Sequence, residues 1–274
     1  VACFGVLLVL TLLLVARFFY LQIVQYDIYA TLSDKNRIQV QPLPPVRGLI
    51  YDRNGELLAN NLPSFNLTIT PERVADLDQT LAHLGSTLKL TDEDITGFRS
   101  RVERRRRPFE PVPLLFKLTQ EEIAQFSVDR HALPGVEVEA KLVRHYPQGE
   151  LMVHAVGSVR RINESDARRL DAVAYSGTDH VGKIGVEKFY EQDLLGNVGY
   201  QQVEIDARGK VMKVLESNLP SRGKDLTLHV DSSLQAAASA ALGERRGTVV
   251  AIEPKTGGIL ALVSKPGYDP NLFV

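Results

Sequence analysis

The chain has 274 residues, of which 44% are hydrophobic and 24% charged, a composition typical of a folded protein. The net charge of −1 gives no general attraction to nucleic acid, so no nucleic-acid partner is predicted. A single cysteine excludes an internal disulfide and a cysteine-based zinc cluster, and the six histidines lack a metal-binding spacing. Neither a metal site nor a cofactor site is predicted.

The first 21 residues are predicted to form a single transmembrane helix. Residues 1–16 carry no charge, and three aromatic residues at 18–20 suit the membrane–water interface. Arg17 interrupts the apolar run, but a long basic side chain near a helix end reaches the headgroups. A cleaved signal peptide is the alternative. Because no small-residue cleavage site follows the run, an uncleaved anchor is favoured, and the helical pattern continues to about Asn36.

The next segment is predicted to leave this helix and enter a hairpin. Three prolines at 42, 44 and 45 end the helix and keep the chain extended. Two apolar strands then flank a turn from Asp52 to Gly55, where the Asn-Gly pair supplies the positive φ values of a tight turn. Residues 65–70 alternate between apolar and polar side chains, which predicts a further strand that Pro71 ends.

Residues 74–143 are predicted to form an inserted head with its own small core. Apolar residues at 74, 77, 81, 84 and 88 lie at helical spacing. Capping boxes that begin at Thr91 and Thr119 predict two further helices. A strand over 111–118 and a long alternating strand over 135–146 complete the pattern, which is α+β.

The rest of the chain is also predicted to be α+β. Residues 146–159 and 180–200 are predicted to be helices punctuated by glycine, and residues 200–210 a strand and turn. A strand, a helix capped by Asp231 and a buried hairpin over 247–264 are predicted to follow.

Three groups of residues resemble the N-terminal motifs of class B penicillin-binding proteins. The first group is Arg47, Gly48, Asp52, Arg53 and Gly55, the second is Arg144 and Pro147, and the third is Gly182, Gly185, Glu187, Tyr190, Gly196 and Gly199. Residues 223–274 are similar to the start of the transpeptidase domain in that family. Within the family, the elongation-type members are the most similar.

The resemblance implies a single-pass protein of the bacterial inner membrane with most of its residues in the periplasm. Residues 1–21 would be the anchor helix and residues 22–222 an elongated pedestal, made of an anchor part and the head at about 74–143. Residues 223–274 would be the truncated start of a transpeptidase domain. The complete enzyme would cross-link peptidoglycan stem peptides through a serine acyl-enzyme, and β-lactams would inhibit it.

The resemblance also implies partners. They are a SEDS-family polymerase of the RodA type in the membrane and a periplasmic scaffold of the MreC type. Two alternatives stay open: a division-type or accessory member of the same family, with a different partner, and a non-catalytic, membrane-anchored scaffold that keeps the pedestal alone. The sequence after Val274 discriminates between enzyme and scaffold, since an S-x-x-K segment is expected there only in the enzyme.

Three short strings match catalytic signatures of the family but are not predicted to be catalytic. Residues 86–89 match S-x-x-K, residues 64–66 match S-x-N and residues 255–257 match K-T-G. The S-x-N string precedes the S-x-x-K string, which is the wrong order, and Ser86 lies at the polar end of a helix with no base beside it. No catalytic residue is therefore predicted in this chain.

Glu187 is predicted to pair with one of three arginines, Arg47, Arg53 or Arg144. The segments that carry these residues bracket the head, so they must meet if the pedestal is one folded body. The alternative is that all four residues are surface charges.

Overall fold

The computed structural model describes residues 2–20, 38–104, 109, 111–206 and 211–274. The chain divides into two compact units, residues 1–41 with 201–217 and residues 42–200 with 218–274. The boundary predicted at 222/223 stays a prediction.

The helices and strands mix along the chain, as expected for an α+β protein. The helices are α1 (Ala2–Phe19), α2 (Leu77–Leu88), α3 (Asp92–Arg104), α4 (Gln120–Asp129), α5 (Val153–Val156), α6 (Glu164–Ala167), α7 (Gly185–Phe189), α8 (Glu191–Leu195) and α9 (Ser232–Leu242). The strands are β1 (Ile38–Leu43), β2 (Ile50–Tyr51), β3 (Leu57–Ile69), β4 (Val112–Leu115), β5 (Val136–His145), β6 (Ser158–Arg161), β7 (His180–Ile184), β8 (Gly199–Ile205), β9 (Val211–Asn218), β10 (Leu226–Thr227), β11 (Gly247–Ile252) and β12 (Ile259–Lys265).

The first unit contains α1 and most of a three-stranded sheet in the order β1-β8-β9. The strand predicted near 200–210 is present as β8. Within the residues that the structure describes, no helix combines the length and the apolar character needed to cross a membrane. Residues 1 and 21 of the predicted anchor and the helix predicted over 22–36 lie outside the described residues.

The second unit is organised around the long strand β3. The predicted hairpin is present, with β2 antiparallel to the start of β3 and Gly55 in the turn at φ 86°. The sequence predicts a break between the hairpin and the strand at 65–70, but β3 is continuous through Pro63, which lies opposite Leu142 of β5. Residues 60–66 of β3 pair with β5 on one side and with neither β2 nor β4 on the other. Proline is tolerated there because no strand on that second side needs its N–H group.

The head has a core of its own. The three long helices α2, α3 and α4 pack with β4 and the ends of β3 and β5 around Phe98 and Phe126, which are at most 2% exposed. Both predicted capping boxes are present, since the hydroxyls of Thr91 and Thr119 accept N–H bonds from the residues three positions later, Asp94 and Glu122. The core also uses residues of β3 that precede the predicted boundary at 74.

The segment after the head is less helical than the sequence predicts. The antiparallel strands β6 and β7 take up the end of the first predicted helix and the start of the second, and only the short helices α5, α7 and α8 remain. Gly157 ends α5 at φ 84°, and Gly185 begins α7 at φ 64°. Glycine adopts these conformations without strain, so the glycines mark where the short helices end or begin.

The C-terminal part of the second unit begins with a strand that pairs with β2. Strand β10 runs parallel to β2, with Leu226 opposite Ile50, and Asp231 caps α9 by accepting N–H bonds from Ser233 and Leu234. The β11–β12 hairpin is present, but it is not buried as predicted: Val250 and Ile252 are 48% and 56% exposed. Only one face of this hairpin packs against α9 and the rest of the unit, because the described chain offers the other face no neighbour.

Candidate functional site

A buried ion cluster joins three segments that are far apart in the sequence. Glu187 on α7 is 0% exposed and accepts hydrogen bonds from two arginines. Arg144, at the end of β5, donates from Nε to Oε1 over 2.6 Å. Arg47, just before β2, donates from Nε to Oε2 over 2.8 Å. The pairing predicted for Glu187 is therefore confirmed, and it involves two arginines rather than one.

A second glutamate balances the second arginine. Glu191 on α8 accepts from Arg47 Nη2 at 2.5 Å, from the Tyr175 hydroxyl at 3.0 Å and from the Gly182 N–H at 3.0 Å. Burial would lower the pKa of Arg47, but Glu187 and Glu191 outweigh this effect and raise the pKa. The cluster thus contains two positive and two negative charges, each with a hydrogen-bonded partner.

Tyr146 connects the cluster to strand β6. Its hydroxyl lies 3.3 Å from Glu187 Oε1 and accepts the N–H of Val159 at 2.9 Å. Burial, followed by the neighbouring Glu187 carboxylate, raises the pKa of this phenol, so it stays protonated and donates to the carboxylate. Arg144 Nη1 donates to the Gly48 carbonyl at 2.7 Å, which ties the cluster to the segment between β1 and β2.

The glycines of the motifs allow the backbone to approach this cluster closely. A Cβ atom on Gly48 would lie 1.9 Å from the carbonyl oxygen of Lys224, and one on Gly182 would lie 2.1 Å from that of Glu187. The same holds for Gly223, whose Cβ would lie 1.9 Å from the Leu194 carbonyl oxygen. Only glycine fits these three positions, because the contacts are with backbone that is itself hydrogen-bonded.

Asp52 fixes the turn of the hairpin and connects it to α9. The side chain is 0% exposed, and its oxygens accept N–H bonds from Asn54 and Glu56 at 2.8 Å and from Ser232 at 3.2 Å. Burial would raise the pKa of Asp52, but the backbone N–H donors outweigh it and lower the pKa. The ionised carboxylate therefore holds the two elements together.

Replacing Asp52 by Asn is expected to reduce the unfolding free energy at pH 7 by about 1–3 kcal/mol, because the new amide group would face an N–H donor. An unfolded aspartate has a pKa of about 3.9. Since the folded pKa is lower, the stabilisation is present above that value and is lost as the pH falls through the folded pKa. Urea unfolding at pH 7 and pH 3 measures both effects, and the difference between wild type and variant should shrink at pH 3.

The matched control is Asp76→Asn, at the exposed N-cap of α2, where the side chain accepts one N–H bond from Gln79. Asparagine caps a helix as well as aspartate does, so little change is expected. Equal effects of the two substitutions would contradict the role assigned to Asp52.

Four other motif residues, Arg53, Pro147, Gly196 and Gly199, lie outside the cluster. Arg53 and Pro147 are exposed, and the Arg53 N–H donates to the Val230 carbonyl. Gly196, at φ 78°, and Gly199 are close to the backbone of the 218–223 segment. Their role as structural motif residues stays a prediction.

Sequence reasoning missed Glu191 and Asn61. The Asn61 side chain donates to the Arg47 carbonyl at 2.7 Å and accepts from Arg144 at 3.3 Å. Glu191 follows Glu187 by four residues, a spacing that places both carboxylates on one side of a helical segment and so offers a signal. Asn61 has no comparable signal, because its contacts depend on how distant strands pair.

A cleft of about 610 Å³ adjoins the cluster. Residues 139–144 of β5 and residues 176–180 line it, together with Arg47 and Arg144. Because both arginines are matched by the glutamates of the cluster, they offer no uncompensated charge to an anionic ligand.

The three catalytic-like strings occupy ordinary structural positions. The Ser86 hydroxyl donates to the His83 carbonyl in the last turn of α2, and Lys89 ends that helix at φ 53°. Residues 64–66 lie within β3, and residues 255–257 form the turn of the β11–β12 hairpin. In the described parts of the chain, no three or more histidine, cysteine or acidic side chains are grouped so that they could hold a metal ion.

The buried ion cluster is built from residues of all three sequence motifs, Arg47, Arg144 and Glu187. Residues 42–228 match the family model described as the Penicillin-binding Protein dimerisation domain, so the chain belongs to that family. The resemblance seen in the sequence motifs is thereby confirmed.

Relatives within the family are similar over nearly the whole chain. The Peptidoglycan D,D-transpeptidase MrdA of Acinetobacter baumannii is 47% identical over 98% of this chain, and that of Escherichia coli K12 is 43% identical over 100%. The chain spans 40% and 44% of the length of these two relatives. In fold, it is similar to a solved Helicobacter pylori structure, a complex between Penicillin-Binding Protein (PBP2) and MreC, with a TM-score of 0.69, 24% identity and coverage of 86% of this chain and 44% of that one.

Proposed function

We propose that this chain is the membrane anchor and pedestal of a peptidoglycan D,D-transpeptidase of the elongation type. The observation that carries the proposal is the similarity over essentially the whole chain to transpeptidases named MrdA. The ion cluster supports it, because the arginines and the glutamate of the three motifs meet in one buried site. Because the chain spans 40% and 44% of these relatives, the acyl-transfer chemistry belongs in this proposal to the part of the protein that the chain does not span, and the chain itself has a positioning role.

The membrane anchor is part of the proposal. Residues 1–16 carry no charge, and the large apolar side chains that the structure describes between residues 10 and 19 are exposed, with Leu13 62% and Phe19 58% exposed. Large apolar side chains that pack against no other element favour a lipid environment. In this proposal the protein is single-pass in the inner membrane and its pedestal is periplasmic.

Two partners follow from the same proposal. A SEDS-family glycosyltransferase of the RodA type would contact the anchor helix and the pedestal, and a scaffold of the MreC type would contact the pedestal. The Helicobacter pylori PBP2 of similar fold is itself in complex with MreC, which supports the second partner. The alternatives are a division-type or accessory transpeptidase and a non-catalytic scaffold.

Fluorescent-penicillin labelling tests the proposed function. Membranes that contain the native protein carrying this chain are compared with the purified 274-residue chain. We expect the native protein to label and the chain not to label, because a penicillin acylates only a serine with a base and an oxyanion hole. Ser86→Ala in the native protein is the control and should label like the wild type.

Two results would contradict the proposal. Covalent labelling of the isolated chain at Ser86 would place the nucleophile inside it. If neither sample labels while a known transpeptidase does, the non-catalytic scaffold becomes the better description.

A further inference from the structure

The segment that follows β12 is held by contacts with residues that lie between the end of β5 and β7. Residues 266–273 leave β12 and end in a short 3-10 turn at Pro270–Phe273. The carbonyl of Pro266 lies 3.1 Å from Nε2 of His154, on α5. At the other end, the Phe273 ring lies under the guanidinium of Arg160, 4.1 Å from its centroid. Both ends of the segment are therefore held by residues between β5 and β7.

Asn271 forms the central attachment. Its Oδ1 accepts the N–H of Tyr146 at 2.9 Å, and its Nδ2 donates to the carbonyl of the same residue at 3.1 Å. Nδ2 also donates to Asp269 Oδ1 at 2.8 Å, which fixes the orientation of the amide. A side-chain amide that bonds both polar groups of one backbone residue constrains both distance and direction, so it locates the segment more closely than one bond would.

The backbone residue that Asn271 holds is also part of the ion cluster. The Tyr146 hydroxyl contacts Glu187 Oε1 and Val159, while its N–H and carbonyl are bonded to Asn271. Tyr146 is 3% exposed, so neither connection competes with water. A continuous chain of hydrogen bonds therefore runs from Glu187 through Tyr146 to the segment 266–273.

We propose that Asn271 and Tyr146 are positioning residues through which the ion cluster sets the placement of the catalytic serine. The inference rests on the proposed function, in which that serine follows Val274. In that proposal the serine belongs to a part of the protein that continues from this segment, so the position of residues 266–273 determines where that part begins. Displacement by about 1 Å of a catalytic group lowers a rate by up to about a hundredfold, which makes such a distant attachment measurable.

The test measures acylation by a fluorescent penicillin in the native protein that carries this chain. Asn271→Ala is expected to lower the acylation rate constant about tenfold or more. The labelled fraction at completion should stay the same, because each folded molecule still carries its nucleophile. The matched control is Asn197→Ala, which removes a single exposed side-chain bond to Ser221 and should leave the rate constant unchanged.

Tyr146→Phe tests the link to the ion cluster. This variant keeps the backbone bonds to Asn271 and removes only the hydroxyl that contacts Glu187 and Val159. We expect a rate constant at least about threefold below the wild type, and we expect the double variant to be no slower than Asn271→Ala, since both changes interrupt one pathway.

Each remaining outcome is decisive. A wild-type rate constant in Asn271→Ala would overturn the proposal. A lower labelled fraction with an unchanged rate constant would overturn it too, because that result means only that some molecules are unfolded. A wild-type rate constant in Tyr146→Phe would overturn the connection to the ion cluster. Absence of labelling in the wild type would instead refute the proposed function.

Discussion

Replacing Glu187 by Gln is expected to lower the free energy of unfolding by about 3–5 kcal/mol, the usual cost of removing one partner from a buried ion pair. The carboxylate is fully buried and bonds Arg144, whose side chain is only 2% exposed. Without the Glu187 carboxylate, the charge of Arg144 remains in a site that water does not reach. Arg47 then keeps Glu191 as its one carboxylate partner in the cluster. Urea unfolding of the chain measures the loss, and Glu187→Lys should be more severe because it adds a third positive charge.

The control for Glu187 is Glu244→Gln, which removes the same charge from an exposed position after α9. Its effect should stay within about 0.5 kcal/mol, as for most surface substitutions. A melting temperature of Glu187→Gln equal to that of the wild type would show that the cluster does not hold the segments together.

The second large effect is expected at Gly157, between α5 and β6. A Cβ atom there would lie 1.9 Å from the carbonyl oxygen of Ile184, and the residue has a φ of 84°. Gly157→Ala should therefore push α5 away from the end of β7 and lower the free energy of unfolding by more than about 4 kcal/mol, in the range of exceptional substitutions. Thermal unfolding followed by circular dichroism measures the loss.

Gly55→Ala is the control that separates backbone strain from the steric contact as causes of that loss. Gly55 has nearly the same φ, 86°, but a Cβ atom there meets nothing within 4 Å. Gly55→Ala carries only the backbone strain, about 1–2 kcal/mol. Equal losses of unfolding free energy in the two variants would contradict this explanation. They would mean that a Cβ atom at position 157 does not clash with the Ile184 carbonyl.

Features encoded by neighbouring residues could be predicted from the sequence. The capping boxes at Thr91 and Thr119 and the turn at Gly55 each depend on a few consecutive positions, and all three are present. The pairing of β6 with β7 is not predicted, because both strands are short and the glycines near them also suit helix ends. Local spacing does not distinguish these two structures.

The candidate site was predictable only in part. The motif pattern singled out Glu187 with three arginines, and the need for two bracketing segments to meet indicated an ion pair. Arg47 and Arg144 bond Glu187, whereas Arg53 is exposed and lies outside the cluster. The fourth charge, Glu191, was not predicted, although it bonds Arg47 from 144 positions away. Such contacts depend on the tertiary arrangement, since nothing near Arg47 in the sequence indicates how many carboxylates it meets.

The ion cluster also imposes an order on folding during synthesis. Domains form as their residues emerge, N-terminal parts first. The head core needs only residues up to about 138, so it forms while Arg144 still has no carboxylate partner. Glu187 emerges 43 residues after Arg144, and the β10 residue Leu226 that pairs with Ile50 emerges later still. The nascent chain therefore carries a folded head core before the buried charges are paired, and Arg47, which is made before the hairpin, waits for a glutamate made 140 residues later.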